Sequence, residues 1–335
     1  MKIVFRIVFW GILLALFGCN QNRLKVDISE IEKEVEIVRF DQQLFEIPLQ
    51  DTLSELKELR QQYLAFFDLF TYKIINAGGI EDEYFPQVMA EFLTDTMILN
   101  AKTMVEETFA DFDETEKKLV KAFKYYQYHF PEKELPVIFT VISGFNQSVF
   151  TAENIIGISL GKYLGSDCKY YYQLSNVHQY KIKNMHKKKI PSDVIYAWGM
   201  TEFNETNETT TLLDNMIYQG KLMYFVDALL PEMEDSLKIG YTKKHLDWCQ
   251  NNEPQMWNYL IENDMLYSNK RMDILRYIND GPYTIGFPLE SPARTGIWIG
   301  WQIIRKYMNE NEEISLAELM ENTDYQGILN ASGYY

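Results

Sequence analysis

The chain is short of cysteine, of basic charge and of long apolar runs, and each shortage excludes something. Three cysteines in 335 residues cannot build a disulfide framework. With Cys19 assigned below to another role, Cys168 and Cys249 remain and read as buried thiols rather than a bridge. Lysine and arginine total 32 against 48 acids, a net charge of −16. Phosphate contacts need a basic face, so nucleic acid is excluded as a partner. No apolar stretch reaches the roughly 20 residues that a membrane-spanning helix requires. Repeats, low-complexity tracts and linkers are missing too, so nothing divides the chain into several domains. What is abundant is core material: 47% apolar residues and 15% aromatics, with 23 Tyr and 20 Phe, which excludes global disorder.

Residues 1–18 stand apart. Lys2 and Arg6 precede an eleven-residue apolar run, Ile7 to Phe17, with the length and flanks of a secretory signal peptide. The run closes on Leu16-Phe17-Gly18-Cys19, which is similar to a bacterial lipobox, in which the cysteine is lipidated and becomes the mature N-terminus. Phe17 is an unusual residue at its position. Acyl chains on Cys19 would anchor the protein, since each buried CH2 contributes about 0.8 kcal/mol. The organisation expected is a signal peptide at 1–18, a lipidated tether at 19–30 and one domain at 31–335.

Within that domain Val35–Phe40 alternates as a short strand does. Asp51–Phe130 carries helical periodicity, broken at Gly78-Gly79. Pro136–Ile142 and Asn154–Leu160 are continuous β-branched apolar runs, predicting two buried strands with 144–153 as a loop. Helices are predicted over 192–206, 209–230, 242–264, 270–280, 293–310 and 315–322, with Pro191 opening the first and Ser192 capping it. The basic run Lys181–Lys189 reads as a solvated loop, with contact to anionic lipid headgroups as the lesser reading. The fold class is α+β, predominantly helical, with a small sheet.

One pentapeptide carries a chemical question. Thr201-Glu202-Phe203-Asn204-Glu205 has the length and the glutamate of a zinc-protease helix, in which histidines at i and i+4 hold the metal, the glutamate polarises water, and a later helix adds a carboxylate. Here Thr201 and Glu205 stand at the histidine positions, and Gln219 stands near the third. Such donors do not suit zinc, and a general base such as Glu202 activates nothing without its metal. No cofactor and no bound metal are therefore expected. His245 and Cys249 sit at i and i+4 but lack a third ligand. Tyr170-Tyr171-Tyr172, Trp298 and Trp301 read as core.

Several blocks together carry a resemblance: Asp214–Pro231 (DNMIYQGKLMYFVDALLP), Ile142–Asn146, Ile156–Gly165, Glu290–Met308 (ESPARTGIWIGWQIIRKYM) and Arg39-Phe40-Asp41. The chain resembles the gliding motility lipoprotein GldB family of Bacteroidetes over nearly all of its mature length. The resemblance implies a lipoprotein needed for gliding and for the type IX secretion machinery, with other envelope proteins of that apparatus as partners. In that group an acidic run after the lipidated cysteine tends to mark surface display. Asn20-Gln21-Asn22-Arg23 has none, which favours an outer-membrane lipoprotein facing the periplasm.

The resemblance further implies distant kinship with zincin-like predicted proteases, hence a zincin-like single domain that has become a pseudoenzyme. The degenerate metal positions would be Thr201, Glu205 and Gln219, with Glu202 the vestige of the catalytic base. All would open on one cleft, with Asn204, Lys221 or Arg294 replacing the metal as partners. The alternatives are an active periplasmic metallopeptidase with other ligands, and a periplasmic peptide- or glycan-binding module.

Overall fold

The computed structural model describes residues 22–48, 51–175, 177–204 and 210–334. In chain order the elements are β1 (Glu36–Val38), α1 (Phe40–Phe45), α2 (Thr52–Gln62), α3 (Leu64–Leu69), α4 (Phe85–Thr94), α5 (Thr96–Thr108) and α6 (Asp113–His129). The strands β2 (Val137–Val141), β3 (Val149–Ala152) and β4 (Ile155–Ser159) follow. Then come α7 (Gln179–Ile182), α8 (Ile190–Glu202), α9 (Leu212–Leu229), α10 (Asp235–Ile239) and α11 (Lys243–Glu262). The chain closes with α12 (Arg271–Ile278), α13 (Thr295–Glu310), α14 (Leu316–Glu321) and α15 (Tyr325–Ser332). Among the described residues no helix is long and apolar enough to cross a membrane.

The sheet order is β1-β2-β4-β3, with β1, β2 and β4 parallel and β3 antiparallel at the edge. Both faces of the sheet are covered, which explains why β2 and β4 read as continuous apolar runs. Phe139 and Val141 point into a cluster with Phe40, Phe66, Phe70 and Phe85. There Phe66 stacks on Phe139 at 3.7 Å. Ile138 and Ile142 point the other way, into the larger core with Trp198, Phe225 and Trp301. The alternation is what a period of two demands.

The segment 144–153, expected as a loop, contains the edge strand β3. Four residues are too few to show a period, and the turn into β4 is only Glu153-Asn154, with Asn154 at a φ of 54°. Helix α8 starts at Ile190, with Pro191 in its first turn. Ser192 is not its cap. It lies inside the helix, fully buried, with its hydroxyl in donor reach of the carbonyls of Lys189 (3.0 Å) and Leu237 (3.1 Å), its single proton serving one or shared between them. Helix α9 is started instead by Thr211, whose hydroxyl accepts from the Asp214 N–H in a reciprocal capping box. The short helices α10 and α15 had no expectation behind them.

Three helices are stacked beside the sheet. α8 lies against β3 and β4, α9 lies on α8, and α13 lies on α9. The last contact is made backbone to backbone. A Cβ at Gly300 would fall 1.8 Å from the Met216 carbonyl oxygen, and one at Gly220 would fall 2.3 Å from that of Gly300. No side chain can move aside there, because the obstacle is main chain. Gly300→Ala is therefore expected to destabilise by about 3 kcal/mol, the upper end for overpacking, read as a lowered urea midpoint. An unchanged midpoint would mean that the helices can separate freely.

His129 ends α6. Burial pushes its imidazole down from 6.5 to about 4, and its Nε2 has no hydrogen-bond partner among the described residues. The unfolded chain therefore takes up this proton first. The stabilisation of the neutral form is full above 6.5 and is lost as pH falls towards about 4. His129→Gln should flatten the fall in urea midpoint across that window. A slope identical to the parent's would show that the imidazole is solvated.

Candidate functional site

Among the described residues the cleft expected around Glu202 does not assemble. Glu202, at the end of α8, accepts a hydrogen bond from the Tyr126 hydroxyl (2.8 Å) and pairs with Lys133 (3.1 Å). Burial, then the bond to Glu202, raise the Tyr126 phenol well above its ordinary value, so it stays a donor. Thr201 pairs with Thr151 of β3 through their hydroxyls at 2.7 Å. Asn204 is exposed. Glu205 lies outside the described residues, as does Cys19. Gln219, on α9, accepts from the Tyr196 hydroxyl.

Tyr196 and Glu202 are six positions apart on one helix. That is about one and two-thirds turns, so their side chains leave α8 roughly 120° apart. Glu202 faces α6, and the residue facing Gln219 is Tyr196. The proposed replacement partners are elsewhere too. Lys221 is buried and donates to the Asn322 carbonyl at 2.8 Å, with its ammonium 5.7 Å from the Tyr325 ring centroid. Arg294 pairs with Asp280 at 3.1 Å, donates to the Ile239 carbonyl and lies over the Tyr241 ring. Lys133, between α6 and β2, is the base that neutralises Glu202.

The concave site lies on the Tyr196 side of the helix. A cavity of about 640 Å³ is bounded by Asp193, Tyr196 and Ala197 of α8, by 146–149 leading into β3, and by Lys162 and Tyr163 after β4. Its remaining wall comes from the basic segment, from Tyr241 and His245, and from residues 280–282 and 292–294. The run Lys181–Lys189 is thus no plain solvated loop: Lys181, Lys183 and Lys189 line this cavity. Lys189 is buried, with its ammonium 2.6 Å from Asp193 and 2.8 Å from the Ser192 hydroxyl. Asp193 also accepts from the Tyr163 hydroxyl at 3.0 Å.

The contact with Gln219 fixes a register on α8. Counting back from Tyr196, the pentad is Ser192-Asp193-Val194-Ile195-Tyr196, with an acid in second place. The residue of α8 that meets Gln219 is thus Tyr196, five positions before Thr201.

This donor set does not fit zinc. The Ser192 hydroxyl is engaged, its proton by a main-chain carbonyl and its oxygen by the Lys189 ammonium, and the Tyr196 phenol, pushed up by burial to about 12, remains a donor. Gln219 is neutral, and the Asp193 carboxylate already holds an ammonium. Among the described residues no group of three or more His, Cys, Asp or Glu is placed to hold a metal ion. His245 and Cys249 do not act together. Cys249 is buried and free, as is Cys168, while His245 Nδ1 lies 3.3 Å from the Lys183 ammonium at the cavity.

No curated protein and no solved structure matches the chain. The model of one family, described as gliding motility protein GldB, does match, over residues 21–335. The chain therefore belongs to the GldB family of gliding motility lipoproteins.

Proposed function

We propose that this protein is a non-enzymatic, lipid-anchored component of the cell envelope, held at the outer membrane through Cys19 and facing the periplasm. There it supports gliding and the type IX secretion machinery by binding other proteins of that apparatus. Its cleft derives from that of a metalloprotease, with Ser192, Tyr196 and Gln219 at the former ligand positions and Asp193 at the former base. The observation that carries this reading is the Lys189–Asp193 pair at 2.6 Å. A buried ammonium holds the carboxylate that would otherwise polarise water. The edge strand β3 beside α8 supports a binding role, because its outer edge can take an extended polypeptide as a further strand.

Anchoring is tested directly. Cys19→Ser is expected to release the protein from the membrane fraction or leave it unprocessed. Correctly cleaved, membrane-bound Cys19→Ser protein would overturn lipidation. Cross-linking and capture of the intact lipoprotein from membranes then tests the partners. Recovery of no gliding or secretion component in repeated captures would count against the assembly role.

A catalytic role for the end of α8 is tested at Glu202. Glu202→Gln retains the acceptor for Tyr126 and loses only a partly exposed ion pair with Lys133, costing about 1 kcal/mol or less. Gliding and secretion should persist. Their loss in a variant with unchanged circular dichroism would restore a hydrolytic role to the end of α8.

A further inference from the structure

The cavity beside α8 is positive in a chain whose net charge is −16. Five cations line it, Lys162, Lys181, Lys183, Lys189 and Arg294, against two carboxylates, Asp193 and Asp280. The acids are already engaged. Lys189 neutralises Asp193, and Asp280 is shared between Lys181 at 3.4 Å and Arg294 at 3.1 Å. Two ammonium groups are left over. Lys162, half-buried, donates to the Phe145 carbonyl at 3.2 Å, and Lys183, at the mouth, meets His245. Neither has a carboxylate within ion-pairing distance among the described residues.

Burial, and then its like-charged neighbour Lys181, push the Lys162 ammonium below its ordinary value. The same happens to Lys183, through burial and then Arg294, and to His245, through burial and then Lys183. Each of these groups would be relieved by an anion. Arg294 adds an independent observation. It is a non-glycine residue held in the left-handed region at a φ of 61°, a strained conformation that recurs at ligand clamps. It is fixed at the cavity wall by Asp280, by the Ile239 carbonyl and by the Tyr241 ring.

We propose that this cavity binds a small polar ligand through an oxyanion, a phosphate or carboxylate group seated between Lys162, Lys183 and Arg294. A volume of about 640 Å³ falls among those of small-molecule sites, roughly 300–1,000 Å³. Side-chain amides of Asn146 and Gln147 at the β3 end are donors and acceptors for the rest of the ligand. This goes beyond the assembly role proposed above and does not depend on it.

The experiment uses the full-length lipoprotein in nonionic detergent, with pyrophosphate and citrate as probes in isothermal titration at constant ionic strength. The expected result is saturable 1:1 binding of at least one probe. Affinity should fall at least tenfold in Lys162→Met and in Lys183→Met, which come from separate segments, so that one serves if the other folds poorly. The exposed Lys57→Met, on α2 and outside the cavity wall, should bind as the parent does. Preference for pyrophosphate identifies a phosphate site, and preference for citrate a carboxylate site. No saturable heat with either probe, or equal affinity in all four proteins, overturns the proposal.

Discussion

The arrangement of the larger core depends on the near-contact of two helix backbones. Where α9 crosses α13, Gly220 and Gly300 allow main chain to approach main chain, with the Met216 carbonyl occupying the space of an absent side chain. Helix axes normally stand 8–10 Å apart according to the side chains between them, and glycine on both helices permits the short end of that range. α8 rests on the opposite side of α9 and against the sheet. The distance set by two glycines therefore bears on how far α8 lies from α13.

That stack is pinned by buried charge. Asp227 on α9 is almost wholly buried and accepts from Lys238 (2.7 Å), from the Trp301 indole (2.8 Å) and twice from Arg305 (2.7 and 2.9 Å). Arg305 also grips Asp235 and lies over the Trp301 ring at 3.8 Å. The cluster joins α9, α10 and α13. Desolvating Asp227 and Lys238 is costly, and a buried charge left without its partner costs about 3–5 kcal/mol. Its net contribution is thus directional more than energetic: it permits one rotation of α13 on α9, the one that brings Gly300 to Gly220.

The same buried electrostatics separates the two ends of α8. At the C-terminal end Glu202 is satisfied by a phenol and a lysine, a finished contact between α8 and the α6–β2 corner. At the N-terminal end the charges do not balance, because more lysine and arginine converge on the cavity than the two aspartates can neutralise. A helix can close one face and leave the other open because residues six apart point in different directions.

The sequence by itself determined the class of fold, the two central strands, the long helices and the family. These are carried by short-range signals: unbroken β-branched runs for β2 and β4, a long apolar stretch for α9, helical periodicity for α11 and α13, and blocks such as GKLMYF and GIWIGW. It also pointed to buried, unbridged Cys168 and Cys249, because isolated cysteines in aromatic surroundings behave as small apolar groups. The four-residue strand β3 was illegible, since a strand of that length is defined by its partner β4 and not by its own pattern. The site was illegible for a stronger reason. Lys162, Lys183, His245 and Arg294 come from four separated segments, and only packing brings them to one cavity. Which residue of α8 faces Gln219 depended on the rotation of that helix against α9, a single angle set by the summed packing of side chains far apart in the chain.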